Sequence, residues 1–180
     1  MTRIVVCGTT GSGKSTLAAQ LSRRLGIPHV ELDALHWGPN WTAGPTEVFR
    51  QRAAEATRGD AWVVDGNYSV TRDIVWSKAT TVIWLDYSIT VIMWRLLRRT
   101  LRRGVTQEEL WNGNIESIRE NFFSRESLFV YALKSHWRRR RSLPVEFAKP
   151  QHAHLKVVHL RSPSATRRWL SSIDAHSITD

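Results

Sequence analysis

Gly8-Thr9-Thr10-Gly11-Ser12-Gly13-Lys14-Ser15 has the spacing G-x-x-x-x-G-K-[ST] and sits between the apolar run Ile4-Val5-Val6-Cys7 and a helix-competent stretch from Thr16 to Leu25. Residues of these types in this order do phosphate chemistry. The glycines let consecutive backbone N–H groups turn inward around a phosphate, Lys14 brings a point charge to its outer oxygens, and the Ser15 hydroxyl can ligate Mg²⁺. The expected ligand is a nucleoside triphosphate, read as ATP with Mg²⁺, held by Gly8, Thr9, Thr10, Gly11, Ser12, Gly13, Lys14, Ser15 and Thr16. A glycine-rich turn that only caps a helix is the alternative, and strand, loop and helix in register argue against it.

Phosphoryl transfer also needs a metal-holding acid, an oriented acceptor and cations around the transferring group. Asp65 and Asp86 end apolar runs, and either can hold Mg²⁺ beside Ser15 or be satisfied by backbone N–H groups. Asp65 is preferred because Gly66 next to it lets a ligand approach the backbone. Asp33 closes His29-Val30-Glu31-Leu32-Asp33 and is the candidate to accept the proton of a substrate hydroxyl, with a turn-forming Asp as the alternative. His36, Trp37 and Trp41 follow in a loop where aromatic faces can line an acceptor pocket or pack in the core.

Cations are concentrated further on. Ser88 to Leu143 holds eleven arginines and one lysine against five glutamates. Arg95, Arg98, Arg99, Arg102 and Arg103 form one face of an amphipathic stretch from Ile89 to Arg103, and no acid occurs among residues 87 to 107. Like charges at i, i+4 repel, so the stripe calls for an anion. With Arg119 and Arg125 it reads as a lid that folds over bound phosphates, Arg95 and Arg99 acting at the transferring group.

Elements that place these groups follow from periodicity. Strands are expected at Ile4–Cys7, His29–Asp33, Ala61–Asp65, Thr80–Asp86 and Leu155–Leu160. Helices are expected at Thr16–Leu25, Thr46–Thr57, Ile89–Arg103, Ile115–Arg141 and Pro163–Ile173. Gly66-Asn67-Tyr68 reads as a loop, Gly104 as a break, and Ser142 to His154, with two prolines, as a loop returning to the core. Strands alternating with helices predict a five-stranded parallel sheet sandwiched by helices, with ligands beyond the carboxyl ends of the strands.

The chain has 180 residues, 42% of them hydrophobic, which suits one domain over residues 1–180 with a lid-like helical region at about 95–141. No run of 18 apolar residues occurs and the start leads directly into a strand, so a cytoplasmic location and no membrane contact are expected. The lone Cys7 excludes an intramolecular disulfide and a cysteine metal cluster and reads as a buried thiol. A net charge of +10 attracts polyanions, either nucleotide phosphates or a nucleic-acid backbone.

The phosphate loop, Glu31-Leu32-Asp33-Ala34-Leu35-His36-Trp37 with Pro39 and Trp41, Trp62 to Tyr68 with Arg72, and Ile83-Trp84-Leu85-Asp86 followed by Arg95 to Arg99 carry a resemblance. Together they resemble the adenylate kinase-related P-loop proteins of the DNA topology modulation protein-like family, over nearly the whole chain. The resemblance implies a nucleoside/nucleotide kinase-like P-loop NTPase fold of the α/β class with a helical, arginine-rich lid. It implies that Asp65-Gly66 opens a substrate-binding segment, that Arg95 and Arg99 are lid arginines, and that Arg161-Ser162-Pro163 lies where such kinases hold adenine. The chain departs from the kinase motif in having Tyr68 where Pro is expected and in the later position of Arg72.

The leading functional expectation is an ATP-dependent kinase whose acceptor, a nucleotide, a nucleoside or another metabolite, meets Asp33, Trp37, Asp65, Gly66, Asn67, Tyr68 and Arg72. The competing one is a nucleic-acid-binding NTPase or regulator of DNA topology, with Arg138 to Arg141 and tryptophans along a phosphate backbone. A monomer and a homodimer both remain open. The chain lacks an Asn-Lys-x-Asp segment for guanine, which disfavours a GTP switch.

Overall fold

A computed structural model describes residues 2–106, 109–114 and 128–173. Five parallel strands, β1 (Arg3–Gly8), β2 (His29–Glu31), β3 (Trp62–Asp65), β4 (Thr81–Leu85) and β5 (Lys156–Leu160), form one sheet in the order β2-β3-β1-β4-β5. The expected α/β, P-loop kinase-like sheet is therefore present. The strand order reverses at β1, so the loop after β1 leaves the sheet at its topological switch point, where a crevice must open. Helices α1 (Lys14–Leu25), α2 (Leu32–His36), α3 (Thr46–Ala56), α4 (Arg72–Lys78), α5 (Ile89–Thr106), α6 (Leu128–Phe147) and α7 (Pro163–Ser171) cover both faces.

Alternation along the strands divides the core in two. Ile4, Val6, Val63, Ile83 and Leu85 point to the side of α1 and α7, where Leu17, Ala18, Leu21 and Leu170 meet them. Val5, Cys7, Val64, Val82 and Trp84 point to the other side, against Phe49 and Ala53 of α3, Val75 and Trp76 of α4 and Leu143 of α6. Each such buried side chain contributes about 1.5–3 kcal/mol relative to exposure. Cys7 is buried as expected, and desolvation pushes its thiol up to about 12.

The structure corrects four local expectations. The second strand ends at Glu31, and Asp33 lies in the short helix α2. Helix α4, unassigned from sequence, buries Val75 and Trp76, with the Arg72 guanidinium 4.9 Å over the Trp76 ring. Helix α5 continues through Gly104, which takes helical dihedrals there. Helix α6 runs past Arg141 to Phe147 with Pro144 inside it. Pro144 removes one helical N–H, but Leu143 is fully buried and Phe147 stacks on Trp76 at 5.5 Å, so packing holds the last turn in place. The part of the expected helix before Leu128, with Arg119 and Arg125, lies outside the described residues.

Candidate active site

The phosphate loop turns as its glycines require. Gly11 and Gly13 have φ of 80° and 93°, and Gly13 caps the N-terminus of α1. A Cβ on Gly11 would stand 3.1 Å from the Ile92 carbonyl oxygen, and one on Gly13 would stand 3.1 Å from Arg95 Nη1. Helix α5 therefore lies directly over the loop. Arg95 donates to the Ser12 carbonyl at 2.8 Å and stacks 5.1 Å over the buried ring of Tyr87. The Ser12 hydroxyl is buried without a partner, as a cradle built for a ligand's oxygens leaves it.

Lys14 Nζ donates to the Thr9 carbonyl at 3.4 Å. Desolvation, followed by the nearby Arg139 charge, pulls its pKa below the ordinary lysine value. In the competing reading Arg139 was expected along a nucleic-acid backbone; it comes from α6 and donates to the Gly8 carbonyl at 3.2 Å. Its neighbour Arg140 donates to both carboxylate oxygens of Asp86, at 2.6 and 3.3 Å, and His159 reaches the same carboxylate at 3.0 Å. Asp86 is thus committed to holding α6 against the end of β4. One turn earlier, His136 Nδ1 lies 3.5 Å from the Thr9 hydroxyl, and burial pulls its pKa down.

Above the loop lies a cleft of about 1100 Å³. Thr10 to Thr16 form its floor. Arg95, Arg98, Arg99, Arg102 and Arg103 of α5 form one wall, Pro163, Thr166 and Arg167 of α7 the second, and Glu31, Asp33, Glu109 and Trp111 the third. Arg95, Arg99, Lys14, Ser15, Asp33 and Pro163 are therefore brought together, whereas Arg161 is exposed outside the lining.

Other expected acceptor residues stand behind the third wall. Tyr68 donates to Asp33 Oδ1 at 2.5 Å, and burial together with the Asp33 charge raises its phenol pKa well above the usual value. Asp65 is 1% exposed and bonded at 3.1 Å to His29 Nε2, so it is buried rather than open to the cleft. Gly66, at φ 130°, leaves room for Leu32, whose Cβ would stand 2.8 Å from an added Cβ; the space expected for a ligand is filled by packing. Asn67 accepts from Arg72 at 3.4 Å, and Arg72 also pairs with Glu146 of α6 at 3.3 Å. His36 is wedged among Trp37, Phe49 and Tyr68 at ring distances of 4.7–4.8 Å, and burial lowers its pKa.

The segment Glu109 to Asn114 is strapped onto the loop after α2. Trp111 Nε1 donates to Glu31 Oε2 at 3.0 Å, Asn112 Nδ2 donates to the Trp37 carbonyl at 2.5 Å, and Asn114 Oδ1 accepts the Trp41 N–H at 2.8 Å. Trp41 and Asn40 have φ of 53° and 55°, a left-handed geometry that such an external acceptor can hold. Glu31 and Trp111 were given no site role from the sequence, and Arg139 only a nucleic-acid-binding one. The position of Glu31 two residues before Asp33 was a usable signal, whereas nothing local marks Trp111.

A phosphate loop at the switch point of a parallel sheet, with a wall of arginines over it, defines a P-loop kinase-like protein. The family model described as AAA domain matches residues 4–121, and the chain belongs to that family. "Uncharacterized protein YqaC" of Bacillus subtilis (strain 168) is 28% identical over 152 residues, 79% of this chain and 85% of that protein. Among solved structures, a shikimate kinase from Acinetobacter baumannii in complex with shikimate superposes with TM-score 0.56 at 14% identity, covering 95% of this chain and 89% of its own. A sugar kinase from Janibacter sp. HTCC2649 gives 0.52 at 20% identity, covering 95% and 94%. At these identities the likeness is one of fold.

Among the described residues no helix is long and apolar enough to cross a membrane, and no group of three or more His, Cys, Asp or Glu side chains converges to hold a metal ion.

Proposed function

We propose that the protein is an ATP-dependent phosphotransferase acting on a small hydroxyl-bearing acceptor, a single kinase-like domain over residues 1–180 with a lid-like helical region at about 95–141. The observation that carries this reading is the placement of Lys14, Arg95 and Asp33 on three sides of one cleft above the glycine loop. The buried, partnerless Ser12 hydroxyl and the positive φ of Gly11 and Gly13 fit nucleotide phosphates. The exposed Ser15 hydroxyl on the cleft floor fits Mg²⁺, with Glu31 as a carboxylate that opens onto the same space and Asp65 buried out of it. Mg²⁺-ATP, when bound, supplies the γ-phosphoryl group.

The chain's own residues do the rest. The loop N–H groups and Lys14 hold the phosphates, and Arg95 and Arg99 neutralise the charge that develops on the transferring group. Asp33, oriented by the Tyr68 hydroxyl, accepts the proton of the acceptor hydroxyl. Pro163 and Thr166, in the wall that α7 supplies, fit the adenine side. The proximity of the kinase folds named above and the resemblance to adenylate kinase-related proteins support this assignment.

The test is ADP formation from Mg²⁺-ATP across nucleosides, nucleotides, polyols and duplex and single-stranded DNA. Lys14→Ala should abolish acceptor-dependent ADP formation with an unchanged fold by circular dichroism. Asp33→Asn should keep ADP binding within about twofold and cut transfer by about 10²-fold or more. Unchanged turnover in Lys14→Ala would overturn the catalytic assignment.

A further inference from the structure

Asn114 is 3% exposed, and both polar atoms of its side chain are bonded. Oδ1 accepts the Trp41 N–H at 2.8 Å, and Nδ2 donates to the Gly38 carbonyl at 2.9 Å and to the Trp111 carbonyl at 2.7 Å. One buried amide therefore closes the turn from Leu110 to Asn114 and fastens it to the loop after α2. The same turn brackets α2, the helix that carries Asp33. Trp111 holds Glu31, the residue before α2, at 3.0 Å, and Asn112 holds the carbonyl of Trp37, the residue after it, at 2.5 Å. Asn114 and residues 37–42 all lie outside the cleft lining.

The fastened loop is strained. Asn40 and Trp41 have φ of 55° and 53°, and a bulky residue such as Trp stays in the left-handed region only where its surroundings over-determine it. Released from Asn114, the loop has a relaxed alternative, so fastened and released are two discrete arrangements. The other end of the turn leads to the nucleotide floor. Helix α5 touches the phosphate loop through Ile92 at Gly11 and through Arg95 at Ser12, and it stays helical to Thr106, three residues before Glu109. One stiff element thus spans the distance from the phosphate loop to the turn. Lys14, Arg95 and Arg98 face the same cleft and repel one another, and phosphates between them relieve the repulsion and draw α5 down.

Resting on the nucleotide-binding part of the reading above, we propose that residues 109–114 are a latch, with Asn114 as its clasp, through which nucleotide over the phosphate loop fixes the position of α2 and the loop after it. Asn114 is a positioning residue that acts on Asp33 through the two ends of α2. Such a coupling is reciprocal, so the fastened latch in turn strengthens nucleotide binding.

Hydrogen exchange of the peptide spanning residues 37–43, followed by mass spectrometry with and without saturating Mg²⁺-ADP, tests the latch in the whole chain. Mg²⁺-ADP should slow exchange there by about fivefold or more, although these residues lie outside the cleft. Asn114→Ala should reduce that slowing to within about twofold and weaken Mg²⁺-ADP binding by about threefold or more in calorimetry. Asn112 is exposed and left-handed, so Asn112→Gly keeps the backbone, removes the bond to Trp37 and should lose part of the slowing; it decides the matter if Asn114→Ala does not fold. A brace without coupling would speed exchange in both variants and leave the response to Mg²⁺-ADP intact, which overturns the latch. Binding of Mg²⁺-ADP to the parent without slower exchange overturns it too. Absence of Mg²⁺-ADP binding in the parent would refute the nucleotide reading and the latch with it, whereas a working latch without ADP formation from any acceptor would refute only the kinase reading.

Discussion

Arg140→Gln tests whether the second basic run anchors α6 over the phosphate loop. Asp86 is 7% exposed and is paired with Arg140 through bonds of 2.6 and 3.3 Å, with His159 at 3.0 Å as its remaining partner. Removing one member of a buried pair typically costs about 3–5 kcal/mol. Here His159 stays, and the Arg140 side chain is itself 39% exposed, so part of its charge is already hydrated in the folded state. A loss of about 2–3 kcal/mol is expected, roughly 4–12 °C in Tm for a chain of this size. The double variant Asp86→Asn/Arg140→Gln removes the stranded charge and should be more stable than the single Arg140→Gln, leaving a coupling of about 1–2 kcal/mol. Urea unfolding of the four proteins measures the cycle. Because Arg139 donates to the Gly8 carbonyl from the same turn, Mg²⁺-ADP affinity by calorimetry should fall with Arg140→Gln. Singles that add to the double within about 0.3 kcal/mol would refute the coupling. A change below about 0.5 kcal/mol in Arg140→Gln would refute the anchor itself.

Two further outcomes follow from the loop. Gly13→Ala places a Cβ at φ 93° and 3.1 Å from Arg95 Nη1, so stability should drop by about 1–2 kcal/mol and Mg²⁺-ADP affinity should fall with it, as read by thermal unfolding with and without nucleotide. Burial holds the folded-state pKa of His136 below the 6.5 of an exposed imidazole, so the unfolded chain protonates first on acidification. The stability from neutral His136 is complete above that value and is lost as pH falls through it toward the folded-state pKa. The Tm drop between about pH 7.5 and 5.5 should be smaller in His136→Asn than in the parent, and an equal drop would exclude His136 as a source; His36, buried among aromatic rings, contributes with the same sign.

The anchoring of α6 changes the meaning of a charge run. Arg138 to Arg141 look alike in sequence, yet Arg139 and Arg140 turn inward to Gly8 and Asp86. Four consecutive helical positions are spread by about 100° each, so they cannot all share one face, and only the packing angle of α6 decides which two meet the core.

Local signals sufficed wherever the physics is local. The phosphate loop was legible because its function needs backbone geometry that few residues other than glycine adopt, and the sheet because alternating or continuous apolar runs bury on a period of two. Arg95 and Arg99 were legible for the same reason: helical periodicity fixes a face before any partner is known. Tertiary structure decided what depends on distant partners. His29 withdraws Asp65 from the cleft, Leu32 occupies the space beside Gly66, and buried Leu143 with stacked Phe147 carries α6 through Pro144. Trp111 meets Glu31 across 80 residues of sequence. Such contacts leave no periodic or local trace, because the energy that selects them is the burial and hydrogen bonding of two segments that are neighbours only after the sheet has formed.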